Sequence, residues 1–179
     1  LPADWKVEDE REVWRWPVRW LRLLARMPAE QGTWLGWGHT VPNGRPFASN
    51  TLLCGTMLVD PLDAPEPAAI CPLPGGGSGN FYQLLPLYAP EMDLKLGEDA
   101  DGLLDLMEDK GLLNEPFVRV DRPCAAGEVE PPPPAALMEQ LEELDRRADD
   151  EGIAALLKEK AGTSPRLAGM LARSLNNLG

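Results

Sequence analysis

The chain has 179 residues and a mass of 19.6 kDa, which is enough for one domain and an appendage but too little for two full domains. Its composition is 44% hydrophobic and 26% charged, values that are typical of globular proteins and exclude a wholly disordered chain or a coiled-coil rod. Seventeen Lys and Arg stand against 29 Asp and Glu, a net charge of −12, which disfavours nucleic acid and anionic membrane surfaces and favours a basic protein partner.

The first predicted element is a helix that opens at Pro17, because proline fits the first helical turn. Apolar residues recur at helical spacing up to Met27, and we expect Pro28 to end the helix. The charged segment Glu8–Trp16 predicts a separate short helix.

The next segments predict strands. Trp34–Val41 is predicted to run as a strand into a turn at Asn43-Gly44, since both residues accept a positive φ. Thr51–Val59 is apolar on both faces, which predicts a buried central strand.

Prolines and glycines divide the middle of the chain. Five prolines in Asp60–Pro74 predict a loop, and Gly75–Gly79 predicts a flexible connector. A mostly apolar strand is expected over Asn80–Tyr88, followed by a helix over Asp99–Lys110 that ends at Gly111.

The composition changes again towards the end of the chain. A short strand is predicted over Phe117–Val120, and Pro131–Pro134 predicts a stiff extended spacer. Beyond it the sequence predicts three helices, over Ala135–Arg147, Glu151–Ala161 and Pro165–Leu178.

Together these elements predict an α+β fold: a central, mostly antiparallel or mixed β-sheet packed by helices, with a C-terminal helical appendage. The predicted domains are an α/β domain over residues 1–130, a proline spacer over 131–134 and the appendage over 135–179. A net charge of −10 falls on residues 1–130.

Leu137, Leu141 and Leu144 follow one another at i, i+4 and i+7 on the first tail helix. This face could pack back onto the domain or against a second copy. We favour packing back, and hence a monomer, because helices this short are marginal alone.

Little in the sequence indicates catalysis or metal binding. His39 is the sole histidine, and no motif for a nucleophile accompanies Cys54, Cys71 or Cys124. The sequence also lacks zinc-site spacing, an EF-hand loop and a phosphate-binding glycine motif. We therefore predict no catalytic site, metal or cofactor; a hydrolase that uses His39 and a cysteine is the least favoured alternative.

Location is predicted from hydropathy and cysteine usage. No apolar run approaches the ~20 residues that span a bilayer. The three cysteines are odd in number and have no C-x-x-C spacing, which is typical of reduced thiols. We expect a soluble, cytoplasmic protein.

All six tryptophans lie within the first 37 residues. Helical spacing predicts that Trp16 and Trp20 belong to the core. Trp34 and Trp37 flank a glycine beside His39, and for these two a core role and a binding role stay equally open.

Several motifs carry a resemblance to a known family. The longest runs from Thr33 to Gly44, with the sequence TWLGWGHTVPNG, and Phe81–Tyr88 reads FYQLLPLY. With Trp16-Pro17 before them and Ala100–Leu104 and Val118–Arg122 after them, these segments resemble the short bacterial form of the suppressor of fused family over about residues 13 to 124.

The resemblance implies an α/β domain and a non-enzymatic binding module. Animal relatives sequester zinc-finger transcription factors by gripping an extended peptide, whereas bacterial relatives are regarded as immunity proteins that neutralise polymorphic toxins, often basic nucleases. The leading hypothesis is therefore an immunity protein that occludes a basic toxin domain. The alternative is a regulatory scaffold that binds an extended peptide by strand addition.

Recognition by an immunity protein is expected in variable loops, here Asp60–Gly79 and the acidic stretch Glu91–Asp101. His39 and Asn43 are motif positions that either fix a turn or contact the partner, with the structural role favoured. The candidate partner-binding residues are Trp34, Trp37, His39, Asn43, Asp60, Asp63, Glu66, Glu91, Asp93, Glu98, Asp99 and Asp101.

Overall fold

A computed structural model describes residues 1–62, 64–65, 69–114, 118–129 and 135–160, together with 167–168, 170–172 and 175. The chain divides into two compact units. Unit 1 comprises Leu1–Ala48 and Leu52–Val129, and unit 2 comprises Ser49–Thr51 and Glu130–Gly179.

The elements of unit 1 follow in the order α1, β1 to β5, α2 and α3. Their bounds are α1 Glu12–Gln31, β1 Thr40–Pro42, β2 Gly55–Val59, β3 Ile70–Pro72, β4 Ser78–Asn80, β5 Gln83–Leu87, α2 Ala89–Gly97 and α3 Ala100–Asp109. The helices of unit 2 are α4 Ala135–Arg146 and α5 Asp150–Lys160. The α+β prediction is confirmed.

The main sheet has three antiparallel strands in the order β1-β2-β5. All five residues of β2 are buried, which confirms a buried central strand, although it begins at Gly55 and not at Thr51 as predicted. Successive side chains along a strand point to opposite faces of the sheet. Trp20 of α1 donates from Nε1 to Oγ1 of Thr56 at 2.9 Å on one face, and Met57 packs with Leu103 of α3 on the other.

The first helix differs from the prediction, since α1 is one continuous helix that contains both Pro17 and Pro28. Four buried side chains along α1, namely Val13, Trp16, Trp20 and Leu24, form one apolar stripe. Burial of this stripe outweighs the cost of about 3 kcal/mol for an interior proline. The helix ends at Gly32, whose φ of 61° suits glycine.

The predictions of a loop over Asp60–Pro74 and of a flexible connector over Gly75–Gly79 were also wrong in part, because Ile70–Pro72 and Ser78–Asn80 pair as a second antiparallel sheet. Strands β3 and β4 pair from Ile70↔Asn80 to Pro72↔Ser78, and Gly75, Gly76 and Gly77 make the turn with positive φ. The glycines thus build a tight hairpin instead of a linker.

Three further differences concern element bounds. The strand predicted from Trp34 begins only at Thr40, because Trp37 and Gly38 form a turn in which Gly38 has φ of 72°. Helix α2 occupies residues predicted as a loop. Residues 118–120 are not in a strand, and Phe117 lies outside the described residues.

Other helix predictions are confirmed. Asp99 caps α3 by accepting from the backbone N–H of Gly102 at 2.8 Å, and Gly111 follows with φ of 67°. Helices α4 and α5 match the first two tail helices. Most of the third, and the spacer 131–134, lie outside the described residues.

Unit 2 has a core of its own. Leu137 and Leu141 of α4 pack with Leu157 of α5 and Leu167. Leu137 and Leu141 of the predicted leucine face are therefore covered within unit 2, and not by either of the two partners that the sequence suggested. No helix in the described part of the chain is long and apolar enough to cross a membrane.

Candidate protein-binding surface

The motif segment Thr33–Gly44 is held by backbone bonds to β2. The N–H of Gly38 donates to the carbonyl of Leu58 at 2.7 Å, and the N–H of Leu58 donates to the carbonyl of His39 at 2.9 Å. The β1–β2 pairing thus continues two residues before β1. Backbone hydrogen bonds fix the position of His39 in the sheet.

Asn43 fixes the turn that follows β1. Its N–H donates to the carbonyl of Cys54 and its side-chain amide to the carbonyl of Arg45, both at 2.7 Å. Gly44 has φ of 75°, a conformation in which glycine is favoured. These bonds hold the turn in its conformation.

Trp34 and Trp37 lie at the surface, with exposed fractions of 69% and 40%. The Trp34 ring packs against His39, with ring centroids 4.3 Å apart. It also covers Gly36, where a Cβ would stand 2.5 Å from the indole. Glycine at position 36 therefore lets the Trp34 ring lie close against its own backbone.

The tryptophan-containing turn runs beside the start of α3. A Cβ placed on Gly38 would lie 3.2 Å from the Cβ of Ala100. Trp37 precedes Gly38, while Asp99 and Asp101 flank Ala100, so the two segments that carry these residues are adjacent here.

Helices α2 and α3 carry much of the acidity. Residues 89–110 contain eight carboxylates and two lysines. Seven of the carboxylates are exposed, and among the described residues none of the seven forms an ion pair. This surface, here called the acidic face, consists of Asp93, Glu98, Asp99, Asp101, Asp105, Glu108 and Asp109.

Glu91 is the exception among the predicted acidic residues, because it is fully buried. Both its oxygens accept from the guanidinium of Arg122 at 2.6 Å. They also accept from the backbone N–H of Tyr88 at 2.9 Å and of Ala125 at 2.8 Å. This cluster of Glu91 and its three partners, the Glu91–Arg122 cluster, removes Glu91 from the surface available to a partner.

No described contact links the remaining candidates to the acidic face or to the tryptophan-containing turn. Asp60 is exposed directly after β2. Asp63 and Glu66 lie outside the described residues.

The edges of the main sheet offer little backbone for strand addition. Leu58 directs its backbone N–H and C=O towards β1. Backbone groups alternate in direction along a strand, so the N–H and C=O of Met57 point towards β5. On β5, the backbone groups of Pro86 then point away from the sheet. Pro86 has no N–H, and its carbonyl accepts from Arg122 at 2.7 Å. The opposite edge, β1, has three residues and ends in Pro42. Prolines at an edge hinder further pairing.

Cys54 and Cys124 lie in environments that do not suit a nucleophile. Burial raises the pKa of the Cys54 thiol, and the Asp93 and Glu91 carboxylates raise it further. Burial is also the main cause of the raised pKa of Cys124, with Glu91 adding to it. Both environments disfavour the thiolate that nucleophilic catalysis needs. Within the described residues, no three His, Cys, Asp or Glu side chains are grouped to hold a metal ion.

The family model for "Suppressor of fused protein (SUFU)" matches residues 1–117. The chain belongs to the suppressor of fused family. No curated protein and no solved structure matches it. The match confirms the resemblance to this family and covers most of unit 1, including the tryptophans, α2 and α3. Membership of this generally non-enzymatic family indicates a protein-binding or regulatory module.

Sequence reasoning missed α2 and the Glu91–Arg122 cluster. A signal for both was present, since Pro90 and Glu91 follow Tyr88 at the spacing of a helix start with a glutamate at its third position. In the SUFU-family chain Glu91 indeed accepts from the Tyr88 N–H. The partnership with Arg122, 31 residues away, has no local signature.

Proposed function

We propose that this chain is an immunity protein that acts in the cytoplasm by binding a basic toxin stoichiometrically and covering its active surface. Residues 1–130 would form the binding domain, with the helices of 135–179 as an appendage. The observation that carries the proposal is the acidic face, whose seven exposed carboxylates have no ion-pair partner among the described residues.

Charge complementarity gives the physical reason. A toxin that cleaves nucleic acid must bind phosphates, and it does so with exposed lysines and arginines. An acidic surface attracts such a protein, raises the association rate and discriminates against acidic competitors. Occlusion then requires only binding, in keeping with a family that is generally non-enzymatic.

The helices that carry the acidic face are packed firmly against the rest of unit 1. Leu103 and Met107 of α3 are fully buried against the sheet, and Glu91 anchors the start of α2. Carboxylates on packed helices are held in place before the partner arrives, so their ordering costs little on binding.

The test uses the toxin-like protein encoded beside this gene. We expect co-expression of the chain to restore growth of cells that make the toxin. The variant Asp101→Asn/Asp105→Asn/Glu108→Gln removes three charges from the acidic face and should weaken binding by roughly 10-fold or more.

A matched control removes three charges from unit 2, at Asp145, Asp150 and Glu151, all of which are exposed. This control should protect as well as the unaltered chain. Failure of the unaltered chain to bind or protect, or equal protection by the acidic-face variant, would contradict the proposal.

A further inference from the structure

Trp34 and Trp37 are not among the tryptophans that belong to the core of unit 1. Indole side chains bury large areas and are enriched at the centres of protein interfaces. Trp16 and Trp20 are 1% and 3% exposed, whereas Trp34 and Trp37 are 69% and 40% exposed. A surface that leaves two indoles in water is a candidate contact surface.

The Trp34 ring is already positioned for a contact. It rests on Gly36 and against His39, so part of the ring is supported by the protein while most of it remains open to solvent. A side chain fixed before binding loses little conformational entropy when a partner packs on it.

Two carboxylates lie on a stretch of chain adjacent to the segment that carries Trp37. Gly38 contacts Ala100, and successive Cα atoms are about 3.8 Å apart, which places Trp37 and the pair Asp99 and Asp101 on neighbouring stretches of chain. Both aspartates are exposed. Asp99 uses one oxygen, Oδ1, to accept from Gly102, and its Oδ2 has no described partner.

We infer that Trp34 and Trp37, together with Asp99 and Asp101, bind arginine side chains of the basic partner. A guanidinium is planar and weakly hydrated, so it stacks on an indole and donates to a carboxylate at the same time. A lysine ammonium is a compact and strongly hydrated charge that stacks less well. The surface therefore discriminates arginine from lysine, which the acidic face alone would not do.

This inference rests on the proposed function, because it names the chemistry by which the basic partner is recognised. Its test needs no toxin. A labelled peptide of nine arginines is titrated into the full chain and followed by fluorescence anisotropy, with a peptide of nine lysines as the comparison. Four variants are measured: Trp34→Leu, Trp37→Leu, Asp99→Asn/Asp101→Asn and the matched control Phe81→Leu, at an aromatic residue of unit 1 that is 57% exposed.

We expect the arginine peptide to bind more tightly than the lysine peptide. Each tryptophan substitution should weaken arginine binding by about 2- to 5-fold and reduce the preference over lysine, whereas Phe81→Leu should change neither. Asp99→Asn/Asp101→Asn should weaken both peptides. Because both indoles are exposed, thermal unfolding of the tryptophan variants should match that of the control.

Three results would overturn the inference: no binding of the arginine peptide, equal binding of the two peptides, or tryptophan variants that behave as Phe81→Leu does. The proposed function is judged separately by toxin protection. Tryptophan variants that protect fully and keep the arginine preference contradict the inference alone. Arginine recognition without protection by the unaltered chain contradicts the proposed function alone.

Discussion

The substitution Glu91→Gln tests the buried Glu91–Arg122 cluster most sharply. It keeps the size of the side chain but removes the negative charge that faces the guanidinium at 2.6 Å. Arg122 has a side-chain exposure of only 9%, so its charge would remain buried without a counter-ion. An unpaired buried charge is among the most destabilising defects in a folded protein.

We expect the free energy of unfolding to fall by about 3 to 5 kcal/mol, the cost of removing one partner of a buried ion pair. That loss is a large part of the ~5 to 15 kcal/mol that stabilises a typical domain. Urea unfolding followed by tryptophan fluorescence measures it. All six tryptophans lie in the first 37 residues, so the signal reports on unit 1.

Asp93→Asn is the matched control, because it removes a charge from an exposed residue of the same helix. It should change the unfolding free energy by less than about 0.5 kcal/mol. The pair Glu91→Leu/Arg122→Met should be more stable than Glu91→Gln, because it leaves no buried charge. A loss below about 1 kcal/mol for Glu91→Gln would refute the reasoning, since the unpaired Arg122 would then cost little.

Three other predictions concern unit 1. Gly55→Ala should destabilise the protein by about 1 to 3 kcal/mol in urea unfolding, because the new methyl group would collide with Sδ of Met92; an unchanged urea midpoint would mean that the Met92 side chain turns aside at no cost. Trp20→Phe removes the buried bond to Thr56 and should lower the free energy of unfolding by about 1 to 3 kcal/mol; a stability equal to that of the unaltered chain would contradict this. Burial raises the pKa of Tyr88 from 10.0 to about 12, so its contribution to stability is complete below pH 10 and is lost as pH rises to 12. The urea midpoint should fall across that range, and less steeply in Tyr88→Phe; parallel curves would show that Tyr88 does not cause the fall.

Periodicity and local turn signals were sufficient to predict the elements whose caps, terminating residues and apolar pattern lie within their own sequence. Helix α3 has an acidic cap at Asp99 and a terminating Gly111, and β2 is apolar on both faces because helices cover both sides of the sheet. Segments of this kind are determined mainly by short-range preferences.

The failures occurred where tertiary packing overrode local preference. Pro17 predicts a helix start, yet the buried stripe on α1 continues across it. The composition of Gly75–Gly79 predicts a linker, and only the pairing of β3 with β4 shows that these residues belong to a hairpin. The burial of Glu91 depends on Arg122, 31 residues away, and no local pattern identifies such a partner.

The candidate surface was predictable only in part. The sequence placed Trp34, Trp37 and the acidic residues among the candidates, but it could not show that the tryptophans are exposed or that Gly38 lies against Ala100. It also did not single out Asp105, Glu108 and Asp109, which join the acidic face through the helical spacing of α3.

The association rate with the toxin encoded beside this gene tests the central claim most directly. The rate is measured between low salt and about 1 M salt, where the screening length falls to about 3 Å, for the unaltered chain and for Asp101→Asn/Asp105→Asn/Glu108→Gln. We predict a one-to-one complex whose association rate falls steeply with salt, with a slower rate and a shallower slope for the variant. A rate that is independent of salt and identical in the two proteins would contradict recognition through the acidic face.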